Sequence, residues 1–457
     1  MRAIINRGGA GLRRTACALA VLLASGSAGA VTLQGAYQAA LKNDPTFRMN
    51  FYENEAGKEN AVLGRSNLLP SVSASFSTSR NIADQEVYYP PNPPLFAGGW
   101  IPSQPRYMSR SSVVQLRQPI LNLDGVARYR QGKVMAKQSQ AQFEANTNEV
   151  AIRVVGAYFD ALFADDQAAL ARVNRDMYAE QQKVNQRLFE KGEGTKTDML
   201  ETRARMDLAE AQLVEAQDNA VAARDSLAGI IGGEPGSLDQ LRDDFRVGDL
   251  DVGPFEKWQK LALANNRELA TARLAIENAR LEISKDRAGH YPRVDMIATY
   301  SKGQAESLNT YNQNSVNRAI GLQVNIPIYS GGAVNATVRQ AAAGYERAQA
   351  DLDARTAKAM VDLRKAYDVV QSSVHKIEAL VKAVESGTEL MKATEQSIKG
   401  GVRINLDLLN AQQQLYTSRR DLAQARYSYL LGVLRLHALS GQIGNDDVRL
   451  IAAYLKS

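Results

Sequence analysis

Cysteine is almost missing from the 457-residue sequence. The one that occurs, Cys17, sits in the leading segment behind Arg14-Thr15-Ala16, which is no lipid-attachment box, so the rest of the chain can form neither a disulfide nor a cysteine metal site. Long apolar runs are missing too. Nothing approaches the roughly 20 residues that a spanning helix needs, so any crossing of a bilayer has to be made by a closed β-barrel, the other spanning solution. Histidine is scarce: His290, His375 and His437 show no H-E-x-x-H spacing and read as surface or packing residues. The Gly229 to Gly236 cluster lacks a phosphate-loop lysine and a dinucleotide fingerprint and reads as a turn. With no metal, nucleotide or redox site legible, the expectation is a chain that is not an enzyme and holds no cofactor. Proline is absent between Pro119 and Pro235 and after Pro327, which leaves two stretches free of the residue that breaks helices.

Arg2, Arg7, Arg13 and Arg14 precede an apolar run from Ala16 to Ala24 and an Ala28-Gly29-Ala30 end. This is the pattern of a secretory signal, so residues 1–30 are expected to be cleaved. The formal charge of +6 is largely theirs: without those four arginines, the 55 basic residues nearly balance the 49 acidic ones. A nucleic-acid partner is therefore not expected, since such proteins gather uncompensated Lys and Arg on one face.

The chain repeats itself. Ala40-Leu41-Lys42-Asn43 returns as Ala262-Leu263-Ala264-Asn265, and at the same shift of 222 Glu55 meets Glu277, Arg65 meets Arg287, Pro70 meets Pro292 and Val72 meets Val294. Further on, Gln118-Pro119-Ile120 resembles Ile326-Pro327-Ile328 at 208, and Gly192, Asp198, Leu200, Leu213, Leu227 and Gly232 meet Gly401, Asp407, Leu409, Leu422, Leu436 and Gly441 at 209. The halves are thus expected to be structural repeats, 31–235 and 254–441, separated by a linker at 236–253 and followed by a tail at 442–457. The first half has 14 extra residues, in the Pro-rich segment around Tyr88-Tyr89-Pro90-Pro91-Asn92-Pro93-Pro94, which reads as an enlarged loop.

Each half combines short strand signals with long helical ones. Val72, Ala74 and Phe76 alternate with serines; Val114 and Leu116 with Gln115 and Arg117; Val294, Met296, Ala298 and Tyr300 with Asp295 and Thr299; Ile320, Leu322, Val324 and Ile326 with Gly321, Gln323 and Asn325. Period-2 alternation predicts four strands in two hairpins, within 69–119 and 292–327. Leu363, Val370, Ile377, Val384, Met391 and Ile398 recur every seven residues, with Tyr367, Val374 and Val381 as a companion row, which is coiled-coil spacing. A helix from about Ala333 to about Lys399 would be roughly 100 Å long.

Heptads alone suit a filament or stalk equally well, but a rod has no use for amphipathic hairpins. Four strands cannot close a membrane barrel, since single-chain barrels begin at about eight, so several chains have to contribute. Two would make a barrel narrow enough to fill with side chains, whereas three make one of twelve strands. The apolar face would meet outer-membrane lipid and the polar face would line a water-filled lumen.

Duplicated halves, paired hairpins and Gly-then-Asp helix turns together resemble the TolC family of outer-membrane efflux proteins over essentially all of the chain after residue 30. The most specific match is Gly401-Val402-Arg403-Ile404-Asn405-Leu406-Asp407-Leu408-Leu409-Asn410-Ala411, with Gly192 to Asp198 as its first-half partner. The resemblance implies a mixed α and β membrane protein, a homotrimer with a twelve-stranded barrel and coiled-coil helices forming a periplasmic α-barrel tunnel. It also implies an exit duct for efflux or type I secretion, docked to a periplasmic adaptor and an inner-membrane pump of RND or ABC type. By motif position Asp198 and Arg403 would be a closing ion pair at the periplasmic tip, and Asp407 would face the pore near its narrowest point as an acidic ring. Ile398 stands where the family has a gating tyrosine and Asn410 where it has a second acid, which implies a weaker lock and a less charged ring. Gly192, Gly194, Gly400 and Gly401 would form the helix turns that touch the adaptor.

Local chemistry offers simpler roles for the same residues. Thr195 to Asp198 is a capping-box pattern, and Arg403 and Asp407, four apart, suit an ordinary exposed pair. Glycines at helix turns suit backbone with positive φ. At the level of function, the alternatives are a periplasmic coiled-coil protein and, less compatible with so much heptad helix, a diffusion porin.

Overall fold

The computed structural model describes residues 31–91, 95, 98–242, 245, 247, 253–306, 312–400, 402–441 and 443–456. The expected signal segment, part of the Pro-rich loop and Gly401 lie outside the described residues. The chain divides into two compact units: one takes the described residues up to Tyr52 with 143–267 and 356–457, the other 53–142 with 268–355. Each draws segments from both halves of the sequence.

The chain opens with α1 (Leu33–Asn43), α2 (Pro45–Lys58) and α3 (Asn60–Ser66). Strands β1 (Ser71–Ile82), β2 (Gln85–Tyr89), β3 (Gly99–Ser103) and β4 (Arg106–Leu121) follow, then the long α4 (Leu123–Glu190) and α5 (Lys196–Ile231). After the two-residue β5 (Gln240–Leu241) the second half repeats the order: α6 (Phe255–Asn265), α7 (Arg267–Arg287), β6 (Arg293–Ala305), β7 (Gln313–Asn325), α8 (Ala333–Lys399) and α9 (Asn405–Leu439). The chain closes with α10 (Asn445–Ala452) and β8 (Leu455–Lys456).

The second unit holds an antiparallel sheet in the order β1-β4-β6-β7. The expected hairpins β1/β4 and β6/β7 are joined along β4 and β6, where Leu116 faces Ala298 and Val114 faces Tyr300. Register keeps even-numbered residues of all four strands on one side, because Val72 faces Leu116 and Ala298 faces Ile320. Val72, Phe76, Ile320 and Leu322 are each more than 60% exposed on that side, an apolar surface that no described element of this chain covers. The segment read as a loop contains more order than expected: β2 and β3 pair as a second hairpin, with Tyr88 and Trp100 in ring contact at 5.4 Å. Aromatic and β-branched residues such as Val87, Tyr88 and Ile101 favour strand there, a preference hidden in the sequence by the prolines around them.

The helix pairs of this unit differ in packing. Gly64 on α3 and Gly132 on α4 let two backbones touch: a Cβ on Gly132 would lie 2.3 Å from the Asn60 carbonyl, and one on Gly64 2.7 Å from that of Arg128. At the repeat-related positions α7 and α8 carry Asp286 and Gln340, which cannot nest so closely. A groove of about 740 Å³ opens there, lined by Ala275, Ala279, Ala341 and Gly344 along with those two.

The first unit carries the main core. Leu33, Ala36 and Ala40 of α1 meet Val154, Tyr158 and Leu162 of α4, Leu227 of α5, Leu430 and Leu434 of α9 and Ile451 of α10, all nearly or wholly buried. Tyr158 fastens the segment before α1 and the segment between the repeats to this core, since its hydroxyl donates to the Val31 carbonyl at 2.9 Å and accepts from the Asp239 amide at 2.8 Å. The segment after the first half and the tail also pair, β5 with β8. On α8 the expected heptad row is buried at Leu363, Val370 and Ile377, whereas Val381 of the companion row is 41% exposed.

Both halves end in the same glycine stop. Gly232 (φ +77°) closes α5 against Asn43, and Gly441 (φ +74°) follows α9 against Asn265, where an added Cβ would sit 2.1 Å from the Asn265 carbonyl. Left-handed backbone together with that approach makes Gly441→Ala destabilising by about 1–3 kcal/mol. Gly233→Ala, at a position with open space, is expected to change stability little. Thermal denaturation of the two variants beside the parent protein checks this.

Candidate functional site

The two long helix pairs reverse direction in the same way. At the end of α4 the Lys191 amide donates to the Arg187 carbonyl (3.1 Å) and Glu193 to Leu188 (2.9 Å). At the end of α8 the Gly400 amide donates to Gln396 (3.1 Å) and Val402 to Ser397 (2.9 Å). Every donor and acceptor of the second set lies 209 positions after its counterpart, so the duplication reaches single hydrogen bonds.

The expected glycines divide by role. Gly192 adopts φ +74°, which favours glycine. Gly194 is not in the left-handed region, but an added Cβ would lie 3.1 Å from the Leu188 Cβ, a close approach. Gly400 has neither constraint, its nearest neighbour being the Ser397 carbonyl at 3.6 Å. Gly401 lies outside the described residues.

Asp198 occupies the first turn of α5. Thr195 caps this helix: its Oγ1 accepts from the Asp198 amide (3.1 Å) and donates to the Asp198 carboxylate (2.6 Å). In the second half Ile404 replaces that threonine and offers no side-chain cap; the Asp407 amide donates to the Ile404 carbonyl instead (3.1 Å). The Asp407 carboxylate is therefore not engaged by a cap. Arg403 is exposed, and among the described residues no ion pair joins it to Asp198 or Asp407 within one protomer, so the simple four-apart surface pair does not form. Asn410 is exposed and accepts a long hydrogen bond from Arg205 (3.4 Å), while Ile398 is half-buried near the end of α8.

What the motif reading missed lies just behind these residues. Thr202 of α5 is fully buried, and its hydroxyl accepts from Asn185 of α4 (2.7 Å) and from Asn405 of α9 (3.0 Å) while donating to the Asp198 carbonyl (2.8 Å). Gln181 of α4 closes the network by donating to the Asn185 and Asn405 side-chain oxygens (3.2 and 2.9 Å). One turn further, the Tyr178 hydroxyl donates to the Leu409 carbonyl (3.3 Å), and burial pushes its pKa up, which keeps it a donor. Three helices are thus held by amides and hydroxyls where a coiled coil ordinarily places apolar residues. Asn405 sits in the quoted motif itself, but only packing reveals that it points inward.

The histidines form no site. His437 bonds Asp447 (2.8 Å) and meets the Trp258 ring edge, His290 bonds Asn335 (3.1 Å), and His375 is exposed on α8.

The sequence profile of the family described as outer membrane efflux protein matches residues 36–233 and 258–442, both halves of the chain. The chain belongs to that family. Among curated relatives it is 38% identical to the alkaline protease secretion protein AprF of Pseudomonas aeruginosa, covering 95% of this chain and 89% of that one. It is 34% identical to the proteases secretion protein PrtF of Dickeya chrysanthemi, covering 98% and 96%. In fold it is similar to the CmeC outer membrane channel of Campylobacter jejuni, with a TM-score of 0.76 at 18% identity over 93% of this chain and 90% of that one. This efflux-family member is an outer-membrane protein whose kind extends into the periplasm, and the family consists of transport ducts, not enzymes.

Because Thr202 serves two buried amides, Thr202→Val keeps the shape and leaves both short of a partner. It is expected to lower stability by about 1–3 kcal/mol, read by denaturant unfolding, with Thr197→Val on the exposed first turn of α5 nearly neutral.

Proposed function

We propose that this protein is the exit duct of a type I secretion system for a polypeptide, working as a homotrimer with a periplasmic adaptor and an inner-membrane transporter of ABC type. The observation that carries this reading is that the two relatives matched along nearly their whole lengths, at 38% and 34% identity, are both protease secretion proteins. Three copies of the four-stranded sheet make a barrel of twelve strands, wide enough for a water-filled lumen. Energy comes from the inner-membrane partner, and the duct itself is passive. The repeats 31–235 and 254–441 each supply one hairpin and one long helix pair, and the linker 236–253 and tail 442–457 brace them through β5 and β8.

The helix turns form the periplasmic gate and the adaptor contact. Gly192, Gly194, Gly400 and Gly401 belong to the turns that touch the adaptor, and Asp407, whose carboxylate no cap consumes, presents it to the lumen from each copy. Arg403 takes its partner from a neighbouring chain, since among the described residues of its own chain no ion pair engages it; an arginine beside a helix N-terminus otherwise faces the unfavourable end of the dipole. Ile398 and Asn410 make this lock less polar than a tyrosine and a second acid would.

Two measurements test the proposal. In planar bilayers, multivalent cations added on the helical side are expected to block the parent channel and to block Asp407→Asn at least about tenfold less strongly. Arg403→Ala is expected to raise single-channel conductance, and unchanged conductance would dismiss the lock. In cells lacking the duct of a protease secretion system, this chain is expected to restore protease export. Restored drug resistance without export would replace the secretion reading by an efflux one.

A further inference from the structure

The outward, even-numbered side of the four-stranded sheet changes chemistry along its length. Near the end where the chain enters from the helices, it is apolar. Followed toward Ile82, Arg106, Ala305 and Gln313, the apolar run stops at Phe76 on β1, Val114 on β4, Tyr300 on β6 and Ile320 on β7. Within two same-side positions of each stop a cation follows: Arg80, Arg110, Lys302 and Arg318.

Pairing register places these cations in one line. Arg80 faces Met108, so Arg106 and Arg110 are its diagonal neighbours; Arg110 faces Gln304, next to Lys302; Lys302 faces Val316, next to Arg318. Diagonal neighbours on one face lie about 7–8 Å apart. Four like charges in such a line, with Arg106 beside its end on the strand of Arg110, repel one another unless an anion lies over them. All five are exposed, and among the described residues none is in an ion pair. Arg106 reaches Gln104, and Arg318 lies over the Tyr300 ring. Of the acids just past the strand ends, Glu306 accepts from the Met108 amide and Asp84 accepts from Gln104. The opposite face at the same level carries Ser79, Ser109, Ser111, Ser301, Ser315 and Asn317, none of them charged. The charge is therefore confined to the side that faces lipid, at the border of the apolar band.

From this placement we infer that the stripe Arg106–Arg80–Arg110–Lys302–Arg318 binds the phosphate groups of outer-leaflet lipid headgroups, forming a cationic girdle around the barrel. Guanidinium groups suit phosphate oxygens through paired hydrogen bonds, and a basic residue at the interface is tolerated where one at mid-membrane is not. A line that runs diagonally across strands is also how one membrane depth crosses strands tilted in a barrel. The inference rests on the outer-membrane barrel reading, with the strand ends opposite the helices facing outward.

The test uses the purified protein in detergent, titrated with bisphosphorylated lipid A, dephosphorylated lipid A and inorganic phosphate, for the parent and for Arg80→Gln/Arg110→Gln/Lys302→Gln/Arg318→Gln. The parent is expected to bind the phosphorylated lipid at least about tenfold more tightly than the dephosphorylated one, the variant to lose that preference, and both to conduct equally in planar bilayers. Equal preference in parent and variant overturns the girdle, as does binding that inorganic phosphate displaces at equimolar concentration. A parent that never inserts overturns the barrel reading instead. Should the fourfold variant fail to assemble, Arg110→Gln alone, at the centre of the line, is expected to lose part of the preference, and no loss overturns the proposal.

Discussion

The rest of the molecule depends on two unpaired strand edges. In the sheet order β1-β4-β6-β7, one side of β1 and one side of β7 expose backbone N–H and C=O groups that no described strand of the same chain meets. In water such an edge is an aggregation hazard, and in a lipid core each unmet group costs several kcal/mol. The proposed homotrimer meets this by pairing β1 of one copy with β7 of the next until the sheet closes. β1 and β4 run antiparallel, as do β4 and β6, and β6 and β7, so β7 and the next β1 continue the alternation without a break. In the proposed homotrimer, oligomerisation is then a condition of stability in the membrane, and the lumen follows from it.

A second division runs along the helices. Near the main core the seam is apolar and fully buried, as at Leu363, Val370, Leu430 and Leu434. Toward the helix turns polar side chains join the buried set, Asn185, Thr202, Thr394, Asn405 and Gln412 beside the apolar Leu408 and Leu409. Buried amides and hydroxyls hold one geometry well when every partner is present and give little to an alternative packing. A proposed gate built around such contacts suits a region that works at the low-stability end of its structure.

Much of this was legible in the residues. The period-2 runs gave all four barrel strands, the proline-free stretches gave the long helices, and α8 spans the 67 residues from Ala333 to Lys399 that the heptads mark. The internal shift of 209 proved true down to single backbone hydrogen bonds at the helix turns. The β2–β3 hairpin escaped because prolines mask strand propensity, and β5 and β8 escaped because two residues carry no period. The Asn185–Thr202–Asn405 network escaped for a deeper reason: polar residues at helical spacing ordinarily mark a solvated face, and only three-dimensional packing shows these turned inward. Asp198 fits its capping role, while the absence of an ion pair from Arg403 to Asp198 or Asp407 among the described residues could not be read from a motif.

The absence of cysteine beyond residue 30 provides the most direct test of closure. Cysteines placed at Ser75 on β1 and Ser315 on β7, both on the polar face of the unpaired edge strands, are to be oxidised in outer-membrane fractions, with Ser73 and Asn317 as neighbouring choices of register. A closed trimer predicts that the double variant runs as a covalent species of three chains on denaturing gels, collapsing to one on reduction, while each single variant stays monomeric. A product that stops at two chains, a ladder extending past three, or no cross-link in any register would contradict it.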